Sequence, residues 1–249
     1  MLSKAKIKFI KSLQIKKYRK QEQCFIVEGA KSVRELLDSD FNIVTLLGTA
    51  RFFADTSFNE NVEVIEVSEK ELEGLGEFRS NDAALAVARI KENTIPKVNA
   101  DDFALVLDDI RDPGNLGTII RTADWFGINK IVASEETADF YNPKVISATM
   151  GSFTRVVVGY TNLTSYLSTC GMPVFGTYLD GTDIREVDFG KGGLIIIGNE
   201  AKGIARELET FVSQKVTIPR FGYAESLNAG IATGILCFSV RNNPSCGGS

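Results

Sequence analysis

The sequence predicts an α/β protein in two parts, a small N-terminal α/β domain and a C-terminal domain built on a mostly parallel sheet flanked by helices. Short apolar runs of strand length alternate with amphipathic stretches along the chain. The polar segment ENTIPKVNADD (residues 92–102), with Pro96, interrupts that alternation. The run FALVL (Phe103–Leu107) that follows is unbroken in apolar character, as a parallel strand covered on both faces requires. The expected organisation is therefore 1–91 as the first domain, 92–102 as a linker, 103–243 as the second domain, and 244–249 as a Gly/Ser tail, expected to be disordered.

In the first domain Cys24–Glu28, Ile43–Leu47, Val62–Val67 and Ala84–Arg89 read as strands, with amphipathic segments such as Ser32–Leu37 between them. In the second, strands are expected at Phe103–Leu107, Lys130–Ala133, Arg155–Val158, Pro173–Tyr178, Leu194–Ile197 and Lys215–Ile218. Helices are expected between them and from Ser226 to Val240. Ligands of such sheets gather outside the carboxyl ends of the strands. The turns after Leu107, Ile197 and Ile218 are thus the candidate sites.

Composition narrows the chemistry. At 249 residues and 44% hydrophobic the chain can bury real cores, and no run approaches the roughly 20 apolar residues of a membrane span. A cytoplasmic protein is expected, without membrane attachment. The four cysteines, Cys24, Cys170, Cys237 and Cys246, form no CxxC pair and histidine is absent, so no metal site is expected and no Ser-His-Asp set can exist. A general base must be a carboxylate, Lys, Tyr, Cys, Arg or the substrate itself. Neither GxGxxG nor GxxxxGK[ST] occurs where a dinucleotide enzyme or P-loop NTPase needs it.

The net charge of −4 conceals an asymmetry: residues 1–21 hold Lys4, Lys6, Lys8, Lys11, Lys16, Lys17, Arg19 and Lys20 with no acid. This reads as a basic arm on an acidic body, suited to a polyanion such as RNA, with a solvated helix face or a presequence as alternatives.

Each candidate turn has a local reading and a functional one. In DDIRDPGNLGTIIRTADWFG (residues 108–127) Asn115 stands where a helix N-cap would sit, while Leu116, Ile119, Ile120, Ala123 and Phe126 form a stripe of helical spacing. Cap and ligand-binding group remain equal alternatives for Asn115. Arg121 lies off the stripe, about 9 Å along the axis from Asn115, and a helical side chain leans back toward that mouth. In LIIIGNEAKGIARE (residues 194–207) Glu200 opens an expected helix, where its carboxylate would suit the dipole. In VTIPRFGYAESLNAGIATGIL (residues 216–236) Ser226 is a natural N-cap of an Ala/Gly-rich helix able to pack close to a neighbour.

Taken together, PGNLGTIIRTAD, IIIGNEAKGI and IP followed by GYAESLNAGIA resemble, in order and spacing, the three motifs of the SpoU/TrmH family of RNA ribose 2′-O-methyltransferases. NPKVISATMGSF (residues 142–153) is similar to the segment this family carries between its first two motifs, and YRKQEQCFIVEGAKSVRELL to the substrate-binding domain of many members. The resemblance covers nearly the whole chain. It implies a C-terminal trefoil knot, S-adenosylmethionine as cofactor, rRNA or tRNA as substrate, and a homodimer. It places Asn115, Arg121, Glu200, Ser226 and Asn228 at the reaction site, Thr177, Gly198, Ile218 and Leu227 around the cofactor, and Lys16, Lys17, Arg19 and Lys20 on RNA. Arg220 stands where the family usually has Met. The alternative to an enzyme is a catalytically silent RNA-binding relative. Because guanidinium stays protonated in proteins, Arg121 is expected to handle negative charge, leaving Glu200 as the candidate base.

Overall fold

The computed structural model describes residues 2–58, 62–77, 81 and 83–243. The expected tail at 244–249 lies outside them. Along the chain run α1 (Lys4–Ser12), α2 (Lys16–Glu22), β1 (Cys24–Glu28), α3 (Ala30–Leu37), β2 (Ile43–Gly48), α4 (Ala50–Ala54), β3 (Glu63–Glu66), α5 (Glu69–Glu73) and β4 (Ala84–Arg89). There follow β5 (Phe103–Leu107), α6 (Pro113–Trp125), β6 (Lys130–Ala133), α7 (Pro143–Thr149), β7 (Val157–Tyr160), α8 (Leu163–Cys170), β8 (Val174–Asp183), β9 (Gly193–Ile197), β10 (Gln214–Thr217) and α9 (Ala229–Arg241). Two compact units result: Met1–Glu92 with Asp139–Thr154, and Asn93–Ala138 with Arg155–Ser249.

The first unit holds a four-stranded sheet in the order β1-β4-β2-β3, with β4 antiparallel to both neighbours and β3 parallel to β2. Its N-terminus departs from the expected arm. Ser3 caps α1 by accepting from the Lys6 N–H, and Ile7, Ile10 and Leu13, spaced by three, lie on the side turned to the core. Ile10 and Leu13 are fully buried against Cys24, Ile26, Leu85 and Val87. The lysines are the solvated face of helices that belong to the domain.

The segment Asp139–Thr154, read from sequence as part of the second domain, packs in this first unit. Phe25 of β1 is the reason: its ring meets Tyr141 at 4.7 Å and Phe153 at 6.2 Å between centroids, while Phe41 closes the cluster. Nothing in the local pattern of the segment reveals which core its apolar residues enter.

The second unit is a six-stranded, wholly parallel sheet in the order β10-β8-β9-β5-β6-β7. Central β5 and β9 are buried at every residue. Ala104, Val106, Leu194 and Ile196 on one face pack with Leu163 and Leu167 of α8. Helices α6 and α9 pack on each other, and a Cβ on Gly230 would lie 2.7 Å from Cγ2 of Thr118, so the small residue permits the close approach. That is one use of the Ala/Gly-rich helix within the chain. From β5 the chain leads to β6 on one side, and from β9 to β10 on the other. Adjacent strands whose connections part in this way open a crevice at their carboxyl ends, where α/β sheets bind ligands. Among the described residues no helix is long and apolar enough to cross a membrane.

Candidate active site

The loop after β5 leads directly into α6. Asp112 is the N-cap, its Oδ1 accepting from the Asn115 N–H at 2.8 Å, and Pro113 opens the helix. Asn115 is therefore the third helical residue and not the cap, which leaves its side chain available. A similar correction applies to Ser226. The cap of α9 is Asn228, whose Oδ1 accepts from the N–H groups of Gly230 at 2.9 Å and Ile231 at 3.3 Å.

These caps orient the side chains between them. With Oδ1 of Asn228 committed to α9, its Nδ2 donates to Asn115 Oδ1 at 2.7 Å, and Asn115 Nδ2 in turn donates to Glu200 Oε1 at 2.5 Å. One residue from each of the three turns thus joins a single relay.

Glu200 does not open a helix. Beyond β9 the chain folds into a tight turn in which Asn199 and Gly203 exchange backbone hydrogen bonds at 3.1 and 2.8 Å. The helical propensity of EAKGIARE yields to this tertiary turn, so a helix dipole does not explain the carboxylate. A Cβ on Gly198 would lie 2.4 Å from backbone atoms of Gly203 and Ile204, which makes glycine a requirement of the fold there. Buried Asp108 ties the end of β5 to the same turn by accepting from the Ala205 N–H at 2.7 Å; burial pushes its carboxyl above the usual range.

The remaining candidates are placed as follows. Arg121 is exposed on α6, and none of the described residues pairs with its guanidinium. Ser226 and Leu227 are exposed in the loop before α9. Thr177 in β8 donates its hydroxyl to the Ile196 carbonyl at 3.0 Å. Arg220 donates to the Ala224 carbonyl at 3.4 Å, bracing that same loop. The backbone groups of Gly198, Ile218 and Leu227 have no protein partner among the described residues.

Of the four basic candidates in the first unit, Lys16, Lys17 and Lys20 are exposed on α2, and Arg19 is not. Arg19 is 2% exposed, donates to the carbonyls of Leu13 and Gln14 at 3.0 and 2.8 Å, and pairs with Asp139 at 2.6 Å. Its charge is spent inside the chain, so it is a structural residue and not a phosphate contact. Asp109, Asp112 and Asn199 took no part in the sequence reading of the site. The Asp-Pro pair at 112–113 was a legible signal for the cap.

Comparison with known proteins places the chain in a family. Residues 102–238 match the SpoU rRNA Methylase family and residues 4–86 match the MRM3-like substrate binding domain. The 23S rRNA (guanosine(2553)-2′-O)-methyltransferase RlmP of Bacillus subtilis is 31% identical over 240 residues, 95% of this chain and 96% of that one. An AdoMet-bound rRNA methyltransferase from Sinorhizobium meliloti superposes with a TM-score of 0.88 at 32% identity, covering 98% of this chain and 97% of that one. The SpoU methyltransferase AviRb from Streptomyces viridochromogenes, in complex with AdoMet, gives 0.83 at 25% identity, covering 96% and 97%. An α/β protein with a parallel six-stranded sheet flanked by helices, this chain belongs to the SpoU rRNA methylase family.

Proposed function

We propose that the protein transfers a methyl group from S-adenosylmethionine to a ribose 2′-hydroxyl of ribosomal RNA. The observation that carries this is the Asn228–Asn115–Glu200 relay, which sets an oriented carboxylate at the crevice between β5 and β9. The unpartnered backbone groups of Gly198, Ile218 and Leu227 at neighbouring strand ends suit a cofactor held by main-chain hydrogen bonds, and those residues, with Thr177 behind them, are its site in this reading. Bound there, the sulfonium supplies an electrophilic methyl.

The chain's own residues do the rest. Glu200 accepts the hydroxyl proton as the oxygen attacks, while Asn115 holds that carboxylate in place and Asn228 holds Asn115. Arg121, permanently charged and exposed on α6, binds the RNA phosphate beside the reacting ribose. Ser226 and Leu227 line the mouth. Lys16, Lys17 and Lys20 give the first unit its RNA-facing charge. A silent relative finds no support, since all five reaction-site side chains are present and the named relatives are methyltransferases. The reading includes a cytoplasmic setting, a trefoil knot at the C-terminal end, and a homodimer. For the last, Trp125 on α6 and Ile231 and Phe238 on α9 are exposed apolar residues that a second copy would cover.

The test has two stages. Calorimetric titration with S-adenosylmethionine should show stoichiometric binding, and no heat at any accessible concentration would sink the proposal. Tritium transfer to RNA from cells lacking the protein, with a 2′-O-methyl map, then identifies the RNA and nucleotide. Label in tRNA alone would overturn the choice of ribosomal RNA.

A further inference from the structure

Glu200 stands on a turn, and its neighbour governs how that turn is held. Oδ1 of Asn199 accepts from the N–H groups of Ala201 and Lys202 at 3.0 and 3.1 Å, closing the turn around Glu200 from within. Nδ2 of the same side chain donates across to the carbonyl of Asp109 at 2.8 Å, in the loop that leads to Asn115. One amide therefore connects the turn carrying the carboxylate to the loop before the helix that bears its partner.

Asp109 is itself unusual. Its φ of +57° lies in the left-handed region, which costs a residue with a Cβ about 1 kcal/mol or more. Such a conformation persists where the surroundings over-determine it. Here the Asp109 N–H donates to Ser134 Oγ at 3.0 Å, the carboxylate accepts from Arg111 Nε at 2.5 Å, and the carbonyl accepts from Asn199.

We infer that Asn199 is a positioning residue for methyl transfer: bonded to the main-chain carbonyl of Asp109, it sets the turn after β9 so that Glu200 meets Asn115. It acts through Glu200, and the inference rests on the reading of Glu200 as the reaction-site carboxylate. The distances place the control in the backbone of Asp109 and the side chain of Asn199, with the Asp109 carboxylate a support.

Asn199→Asp separates the two halves of the bridge, since it keeps the acceptor for Ala201 and Lys202 and replaces the donor to Asp109 with a second acceptor. The rate of methyl transfer from tritiated S-adenosylmethionine to total RNA from cells lacking the protein should fall about 10- to 100-fold, as a misplacement of about 1 Å produces. Cofactor affinity by calorimetry should stay close to that of the parent, while the melting temperature falls, because the new carboxylate faces the Asp109 carbonyl and the Asp109 carboxylate, to which the amide lay at 2.8 and 3.4 Å. In a Glu200→Gln background the same change should cost little more, because the two act as one unit. Asp109→Val, which resists φ above zero, should lower the rate, and Asp109→Gly, which accepts it, should recover most of it. An unaltered rate in Asn199→Asp, an equal loss in the Glu200→Gln background, or a fall in cofactor affinity to match the rate would each overturn the inference. Full activity of Glu200→Gln alone would instead remove the reading of Glu200 on which it stands.

Discussion

Asn228 donates its side-chain amide to Asn115 at 2.7 Å across 113 residues of sequence, while its other side-chain atom caps α9. The two tasks can be separated. Asn228→Ala should cost about 1 kcal/mol of stability through the lost cap and also reduce methyl transfer. Asn228→Asp keeps the capping oxygen but has no amide for Asn115, so stability in urea should be nearly retained while the rate falls. Equal rates for Asn228→Asp and the parent would show that Asn115 needs no help from α9.

Arg19 and its neighbours should part company in the same way. Removing the buried guanidinium by Arg19→Ala strands Asp139 and two carbonyls, and should destabilise the first unit by about 3 kcal/mol. Lys17→Ala and Lys20→Ala, on the exposed side of α2, should leave denaturant midpoints in place while weakening RNA binding and flattening its dependence on salt. A stable Arg19→Ala protein with weakened RNA binding would reverse this assignment.

These residues also mark where the sequence was legible. Strands β1, β4 and β5 fall at the limits their apolar runs define, because burial on both faces leaves a continuous pattern that tertiary context does not alter. Beyond Tyr178, β8 continues through the polar LDGTD to Asp183, where pairing with β10 replaces the hydrophobic signal. Arg19 looked like its lysine neighbours because nothing local reveals Asp139, 120 residues away. Asn115, Glu200 and Asn228 stood out through ordered motifs, whereas the hydrogen bonds that join them did not. Both misplaced caps arose where two capping residues compete within three positions, Asp112 with Asn115 and Ser226 with Asn228. Pro113 marks the first helical position and so favours Asp112 from sequence, whereas between Ser226 and Asn228 only the three-dimensional path of the helix decides.

Gly198 gives a prediction about the turn itself. A Cβ there would overlap backbone atoms at 2.4 Å, and backbone cannot swing aside as a flexible side chain can. Gly198→Ala should cost about 1–3 kcal/mol by overpacking and displace Glu200 from Asn115. Calorimetry should show weaker S-adenosylmethionine binding as well, since Gly198 belongs to the proposed cofactor site. Gly171→Ala meets no atom within 4 Å but has φ of +63°, so it should lose stability by strain alone and keep cofactor affinity.

Cys237 links the packing of α9 to pH. Its side chain is fully buried, and burial pushes the thiol from its ordinary value of 9.0 up to about 12, against a smaller opposing pull from Arg241. The folded protein therefore keeps this proton in a range where the unfolded chain releases it. Stability from this group is complete below about pH 9 and declines as pH rises toward 12, by up to about 1.4 kcal/mol per pH unit. Lysines and tyrosines titrate over the same range, so the measurement is a difference: urea unfolding of the parent and of Cys237→Ala at pH 8 and at pH 10.5. The parent should lose more stability between the two, and the variant, whatever its absolute stability after losing the sulfur, should show the shallower decline. Identical slopes would mean that the thiolate is accommodated within the fold, and that α9 opens more easily than its burial indicates.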